Sequence, residues 1–127
     1  MILERQHSPC QRIERAAGKI SLLLEWEKIG SDYIVRLTGG RAHVGAVGVG
    51  NFDSLSGRAS SSVITTPGHR EDELALLGAR KLSESGHLTI VFIVGIHADN
   101  INKEEIKEIV SVSKEMIDEL SVILREG

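Results

Sequence analysis

The order of structural elements is decided by residues 60–99, which begin SSSVITTPGHREDEL (60–74) and end IVFIVGIHAD (90–99). The first part predicts a strand, a turn and the start of a helix. The second part predicts a buried strand that ends in polar residues. Strand ends can present polar side chains to solvent while the sheet holds them in place. If the protein has a functional site, we expect it where these two segments become polar.

The residues before this stretch predict a sheet. Alternating apolar side chains and short polar turns indicate a hairpin followed by two further strands. The predicted strands are residues 19–28, 33–38, 42–50 and 59–66. The third strand contains Gly45, Gly48 and Gly50, and so many glycines in a strand indicate either a bulge or the close approach of another backbone or a ligand.

Two helices are predicted by their boundary residues. Thr66 is a candidate cap for the first helix, with Pro67 at its first position, and Gly86 is placed to end it. Asn102 and Glu105 have the spacing of a capping box at the start of the second helix. The predicted inward stripe of this second helix consists of Ile106, Ile109, Val110, Met116 or Ile117, Leu120 and Ile123.

These elements predict an α+β fold: a mostly antiparallel sheet (a four-strand meander, then helix, strand and helix) with both helices on one face. Residues 19–127 form the predicted domain, and residues 1–18 are expected to be a loosely ordered arm or a short docked element. Glu25, Glu27 and Arg36 indicate that part of the other sheet face is solvated, whereas Leu23 and Ile34 indicate that part is buried. A homodimer would account for both.

The composition excludes several classes of protein. A chain of 127 residues with 41% hydrophobic and 26% charged residues is typical of one soluble domain. The net charge of -3 argues against a general nucleic-acid binder. The longest apolar run, residues 90–96, is too short to cross a membrane, and no secretory signal is visible. The single cysteine, Cys10, fits a reducing compartment, so we expect a cytoplasmic protein.

Histidines beside carboxylates suggest a metal site, although no HExxH or CxxC spacing is present. The candidate ligands are His69 with Glu71 or Asp72, and His97 with Asp99. The alternative is that these histidines hydrogen-bond the backbone or cap turns. A catalytic serine is disfavoured because the sequence has no GxSxG elbow.

Two segments could bind phosphate. Residues 39–41, Gly-Gly-Arg, supply flexible backbone and a guanidinium, and the turn at 66–71 offers free N–H groups before a helix. Nearby serine and threonine hydroxyls add donors. The alternative is that the glycines only allow strands to pack closely.

Four blocks carry a resemblance to a known family: TGG (38–40), AHVGAV (42–47), SSVITTPGHRED (61–72) and GIHADN (95–100). Together with EEI (104–106), they resemble the small D subunit of gallate-type decarboxylases, the LpdD-like proteins. The resemblance implies a prenylated-flavin chaperone that serves UbiD-type decarboxylases, with a dimeric fold similar to the small proteasome-assembly chaperones. The implied cofactor is prenylated FMN or FMN, with a divalent metal as a possible addition.

The resemblance and the phosphate-binding pattern together give the candidate site residues. The expected cofactor contacts are Gly39, Gly40, Arg41, His43, Ser62, Thr65, Thr66, Gly68, His69, Arg70 and His97. The expected metal ligands are His69, Glu71, Asp72, His97 and Asp99. Two other functions stay open at this point: a small enzyme with His69 or His97 as general base, and an assembly factor that binds only proteins.

Overall fold

The protein is described by a computed structural model that covers residues 10–66 and 71–127. These residues form a six-stranded mixed sheet and two helices. The strands are β1 (Gln11–Ala17), β2 (Ile20–Ile29), β3 (Asp32–Gly40), β4 (Ala46–Asp53), β5 (Arg58–Thr65) and β6 (Ile90–His97). The helices are α1 (Asp72–Gly86) and α2 (Lys103–Glu126). The predicted α+β class is confirmed, and four of the five strand pairings are antiparallel.

The sheet has the strand order β1-β2-β3-β6-β4-β5. The predicted four-strand meander is therefore wrong, because β6 lies between β3 and β4. Strand β6 runs parallel to β3 and antiparallel to β4, so Phe92 is level with Val35 on one side and Gly48 on the other. The continuous apolar run of β6 suits a central strand, because a central position buries more of its surface.

Strand β1 lies within residues 1–18, for which a loosely ordered arm or a short docked element was expected. Residues 11–17 pair with β2 over their whole length, from Gln11 opposite Trp26 to Ala17 opposite Ile20. Only Ile13 and Ala17 of this strand face the core. The charged side chains between them are tolerated because an edge strand is half solvated. These charges interrupt the alternation of apolar and polar residues, so the sequence pattern does not predict a strand here. The rest of the arm prediction falls on residues 1–9, outside the described residues.

Both helices cover the same face of the sheet. The core between them includes Leu24, Leu37, Phe92 and Leu120, all fully buried. A side chain at Gly48 would collide with the Ala75 carbonyl oxygen of α1. Gly50 meets Ala79 in the same way. The glycines of β4 therefore allow the backbone of α1 to lie directly on the sheet, which is the close approach that their number predicts.

The two helix starts differ. At α2 the capping box is confirmed: the Glu105 N–H donates to the Asn102 side chain at 2.8 Å, and the Asn102 N–H donates to the Glu105 carboxylate at 3.1 Å. At α1 the predicted Thr66 cap is wrong, because the cap position is Glu71. The Thr66 hydroxyl instead donates to the Gly45 carbonyl at 2.9 Å and ties β5 to the residues before β4.

The inward stripe of α2 is only partly as predicted. Ile109, Met116, Ile117 and Leu120 are buried, and Ser113 and Leu124 join them. Three predicted members are largely exposed: Ile106 at 47%, Val110 at 37% and Ile123 at 39%. At Ile106 and Val110 the reason is a cavity between the helices, described below.

In the part of the chain that the structure describes, no helix lies on the second face of the sheet, which we call the open face. Its register rows bring together aliphatic side chains from β3, β6, β4 and β5, namely Ile34, Val91, Ile93, Val47, Val49 and Ile64. Beside them Arg36 donates to Glu27 at 2.7 Å and lies 3.8 Å from Glu25. Cys10 is exposed, with its sulfur 3.3 Å from Arg36 Nη2. No helix in the described ranges is long and apolar enough to span a bilayer.

Candidate functional site

The candidate site is built around the connection from β3 to β4, which crosses over the carboxyl end of β6. The Arg41 N–H donates to the His97 carbonyl at 2.9 Å, and the Gly45 N–H donates to the Val94 carbonyl at 2.9 Å. A side chain at Gly95 would collide with the backbone of His43, so glycine is required under the crossover. The crossover, residues 41–45, is thus held on the end of the central strand by backbone contacts.

The start of α1 meets the same corner. Glu71, whose side chain is only 12% exposed, lies 3.2 Å from His43 Nε2 and accepts a hydrogen bond from the Ile96 N–H at 3.4 Å. The other ring nitrogen of His43 faces the Arg41 carbonyl oxygen at 3.2 Å. Both ring nitrogens of His43 therefore face acceptor oxygens. These distances place the α1 start beside the β6 exit.

The exit of β6 adds a more exposed group of charges. His97 Nε2 lies 2.9 Å from Asp99 Oδ1, and Arg41 Nη2 lies 3.7 Å from the same oxygen. The hydrogen bond from His97 lowers the pKa of Asp99 below its ordinary value, and the charges of His97 and Arg41 lower it further. The side chain of Arg41 is 73% exposed, so most of its donors remain available to an anion. We call residues 40–45, Glu71, His97 and Asp99 the polar corner.

A cavity of about 570 Å³ opens beside the polar corner, between the first halves of α1 and α2. Both helices run antiparallel to β6, so both begin at this end of the sheet. The wall of the cavity is aliphatic and comes from three elements: Leu74 and Leu77 of α1, Ile96 of β6, and Ile106, Ile109 and Val110 of α2. Glu71 and His97 line it as well, and therefore belong to both the corner and the cavity.

Several residues predicted for the site lie together. The polar corner contains Gly40, Arg41, His43, Glu71, His97 and Asp99. Thr66 is bonded to Gly45 next to it, and Asp72 follows Glu71 as the first residue of α1.

Other predicted contacts lie elsewhere. Gly39 is buried against the Leu22 side chain in the core. Ser62 lies on the open face of the sheet, level with Val91 through Val49 and so far from His97 along β6. Thr65 is level with Val94 through Ala46. The predictions for Gly68, His69 and Arg70 fall outside the described residues.

The metal site stays a prediction. Within residues 10–66 and 71–127, no group of three or more histidine, cysteine, aspartate or glutamate side chains is arranged to hold a metal ion. The predicted ligand set depends on His69, which lies outside those ranges. Of the histidines in the polar corner, His43 lies beside the Glu71 carboxylate and the Arg41 carbonyl oxygen, and His97 lies beside the Asp99 carboxylate.

Sequence reasoning missed the apolar half of the site. Ile106 and Val110 were assigned to the core because their spacing fits an inward helix face. A helical pattern cannot distinguish a side chain that packs on the sheet from one that faces an empty space beside it. The only signal in the sequence is that Ile101 and Ile106 flank the α2 cap, where a hydrophobic pair is also explained by a staple.

The sequence of this chain matches one protein family over most of its length. A sequence model of the prenylated flavin chaperone LpdD-like domain matches residues 16–125, which is most of the chain. The chain belongs to this family. The match begins near the end of β1 and includes the whole polar corner, α1 and all of α2 but its last residue, so the site lies entirely within the shared domain.

Solved structures add a likeness of fold. A chain from the crystal structure of a chaperone complex for yeast 20S proteasome assembly superposes with a TM-score of 0.55 at 12% identity. The match covers 91% of this chain and 98% of that chain. At this identity the likeness shows a shared fold only. No curated protein sequence matches significantly.

Proposed function

We propose that this protein is a non-catalytic accessory protein that binds prenylated FMN, or a related phosphorylated flavin, and supplies it to a UbiD-type decarboxylase. The observation that carries the proposal is the convergence of the β3–β4 crossover, the β6 exit and the α1 start beside one aliphatic cavity. Membership of the prenylated flavin chaperone family supports the choice of ligand.

The exposed guanidinium of Arg41 in the polar corner suits a phosphorylated ligand. Arg41 is mostly exposed, and among the described residues its ion pair is with Asp99 at 3.7 Å. A guanidinium offers paired donors that match phosphate oxygens. His97, with its side chain 41% exposed, is the neighbouring donor. The cavity volume of about 570 Å³ lies within the range of small-molecule sites, roughly 300–1,000 Å³.

The same geometry supports binding rather than catalysis. An activated hydroxyl nucleophile needs a base within hydrogen-bond reach. Thr66, a hydroxyl beside the corner, donates to the Gly45 and Val44 carbonyls instead of to a histidine. The contacts of His43 with Arg41 and Glu71 fix the crossover in place.

Ligand binding tests the proposal directly. The wild-type protein is titrated with prenylated FMN and with FMN by calorimetry, with and without Mn²⁺. Arg41→Ala should weaken binding of the phosphorylated ligand roughly tenfold to a hundredfold, as expected for loss of a charged hydrogen bond. Arg58→Ala is the matched control, because Arg58 begins β5 at the opposite end of the sheet.

Delivery is measured separately. The loaded protein is mixed with a cofactor-free UbiD-type decarboxylase, and the recovered decarboxylase activity is compared with that after free cofactor. Absence of binding to either flavin under every condition would overturn the proposal. Binding without transfer, together with capture of unrelated assembly partners, would favour a protein-only chaperone.

We further infer that a second copy of this chain covers the open sheet face. The aliphatic rows across β3, β6, β4 and β5 leave Ile64 77% exposed and Val49 36% exposed in the single chain. Arg36 pairs with Glu25 and Glu27 within the chain, so its guanidinium does not need a partner from a second copy. An exposed apolar strip with a polar rim is typical of an interface.

Oligomeric state tests the interface. Light scattering on the purified protein should give a dimer mass, and Ile93→Asp should give a monomer because it places a charge in the middle of the strip. Val122→Asp, at a 41% exposed position on α2, is the control and should remain dimeric. A monomeric wild-type protein at micromolar concentration would refute this inference without affecting flavin binding.

A further inference from the structure

The cavity between α1 and α2 has an aliphatic wall that is partly exposed to solvent. Its wall consists of side chains that a sequence pattern places in the core, yet two of them are left substantially exposed. Ile106 is 47% exposed and Val110 is 37% exposed, although both lie on the apolar stripe of α2. When an apolar group fills a concave space lined by exposed aliphatic side chains, apolar surface is removed from water and the free energy falls.

The ionisable groups of the cavity are placed unevenly. Glu71, Glu73 and His97 come from the α1 start and the β6 exit, where the cavity joins the polar corner. Further along the helices the lining is aliphatic, from Leu77 of α1 to Val110 of α2, with Lys114 as the next polar group. A ligand that lies across this boundary must be polar at one end and hydrocarbon at the other.

A prenylated flavin has this division. Its phosphate is anionic, whereas the prenyl group adds a branched hydrocarbon to the ring system, and plain FMN lacks that hydrocarbon. We propose that the α1–α2 cavity seats the prenyl-derived part of the ligand, while the polar corner holds the phosphate. The protein would then distinguish prenylated from unmodified flavin. This inference rests on the proposed function, because it assigns parts of that ligand to parts of that site.

The energetic consequence can be stated as a preference. Burial of the added hydrocarbon carbons should favour prenylated FMN over FMN by roughly tenfold to a hundredfold. Contacts of the phosphate with Arg41 are common to both ligands and should not contribute to this preference.

Filling the cavity tests the assignment. Val110→Phe adds volume at the aliphatic wall and should reduce the affinity for prenylated FMN much more than the affinity for FMN, so that the preference between the two ligands is lost. Val122→Phe on the same helix is the matched control, because Val122 has similar exposure (41%) and does not line the cavity. It should retain the wild-type preference. Circular dichroism checks that both variants are folded.

A second readout avoids dependence on the variants. In wild-type protein with labelled isoleucine methyl groups, prenylated FMN should shift the signals of Ile106 and Ile109, and FMN should shift them less. Unchanged signals of both residues on saturation with prenylated FMN would overturn the cavity assignment. So would equal affinity of the wild-type protein for the two flavins, or a wild-type preference that survives Val110→Phe.

The outcomes separate the two proposals. If the wild-type protein binds neither flavin, the proposed function fails and this inference fails with it. If the wild-type protein binds both flavins through Arg41 but shows no cavity effect, the carrier function stands and only the seating of the prenyl group is wrong.

Discussion

Packing of α1 against β4 gives a prediction whose size follows from the structure. A Cβ built on Gly48 lies 2.5 Å from the Ala75 carbonyl oxygen, where ordinary contact begins at about 3.4 Å. In Gly48→Ala, α1 must therefore retreat by roughly 0.9 Å or the strand must bend by as much. Overpacking of this kind costs about 1–3 kcal/mol.

An opposing effect reduces the net change. Alanine restricts the unfolded chain more than glycine does, which stabilises the fold by about 0.4–1 kcal/mol. With the middle of both ranges, the expected net loss is about 1.3 kcal/mol, equivalent to a fall of roughly 4–8 °C in Tm for a domain of this size. Urea and thermal unfolding followed by circular dichroism measure both quantities.

The control is Asn51→Ala, which changes an exposed residue of the same strand on the open face. It should alter the free energy of unfolding by less than about 0.5 kcal/mol. Equal stability of Gly48→Ala and the wild-type protein would refute the direct contact of the α1 backbone with β4. Because Glu71 is the N-cap of α1 and Leu74 lies in its first turn, Gly48→Ala should weaken flavin binding as well as stability.

Three further predictions concern α2 and the polar corner. Asn102→Ala removes the side chain that accepts from the Glu105 N–H and should cost about 1 kcal/mol in urea unfolding, whereas Asn102→Ser should restore most of it. Ser113→Ala should be neutral or stabilising by up to about 1 kcal/mol, because the Ser113 hydroxyl is buried with no hydrogen-bond partner within the described ranges; a loss above that size would show a hidden partner. His97→Ala should raise the pKa of Asp99 towards its ordinary value, as followed by carboxyl NMR. Since the folded-state pKa of Asp99 is below its unfolded value, this contact stabilises the protein above the unfolded pKa and is lost as pH falls through the folded one. An Asp99 titration that is identical in the two proteins would contradict the hydrogen bond.

The sequence predicts local structure better than it predicts strand order. The α2 cap follows from Asn102 and Glu105 because both partners lie within one turn of helix. The central position of β6 follows from its continuous apolar run. Its insertion between β3 and β4 does not, because hydrophobic pattern specifies which face of a strand is buried but not which strand lies beside it.

The polar corner was partly predictable for the same reason. His97 and Asp99 stand at a strand end, and Glu71 at a helix start, so their accessibility follows from local pattern. Their contact with His43 depends on the crossover, which only the strand order brings over β6. The prediction of Thr66 as the α1 cap was wrong because its hydroxyl donates to the carbonyl of Gly45, a residue distant in sequence. The cavity could not be predicted, because the helical spacing of apolar residues is the same whether their side chains pack on the sheet or face an unfilled space.

The position of β6 between β3 and β4 determines how a ligand bound at the polar corner would affect the rest of the sheet. Strands β1 to β3 form one antiparallel unit and β4 with β5 forms another, and β6 is the seam that hydrogen-bonds to both. Residues 41–45 tie the two units together at the end of that seam. A ligand bound at these residues would oppose separation of the two halves of the sheet. Ligand binding should therefore slow amide hydrogen exchange even in β1 and β5, the strands farthest from the contact.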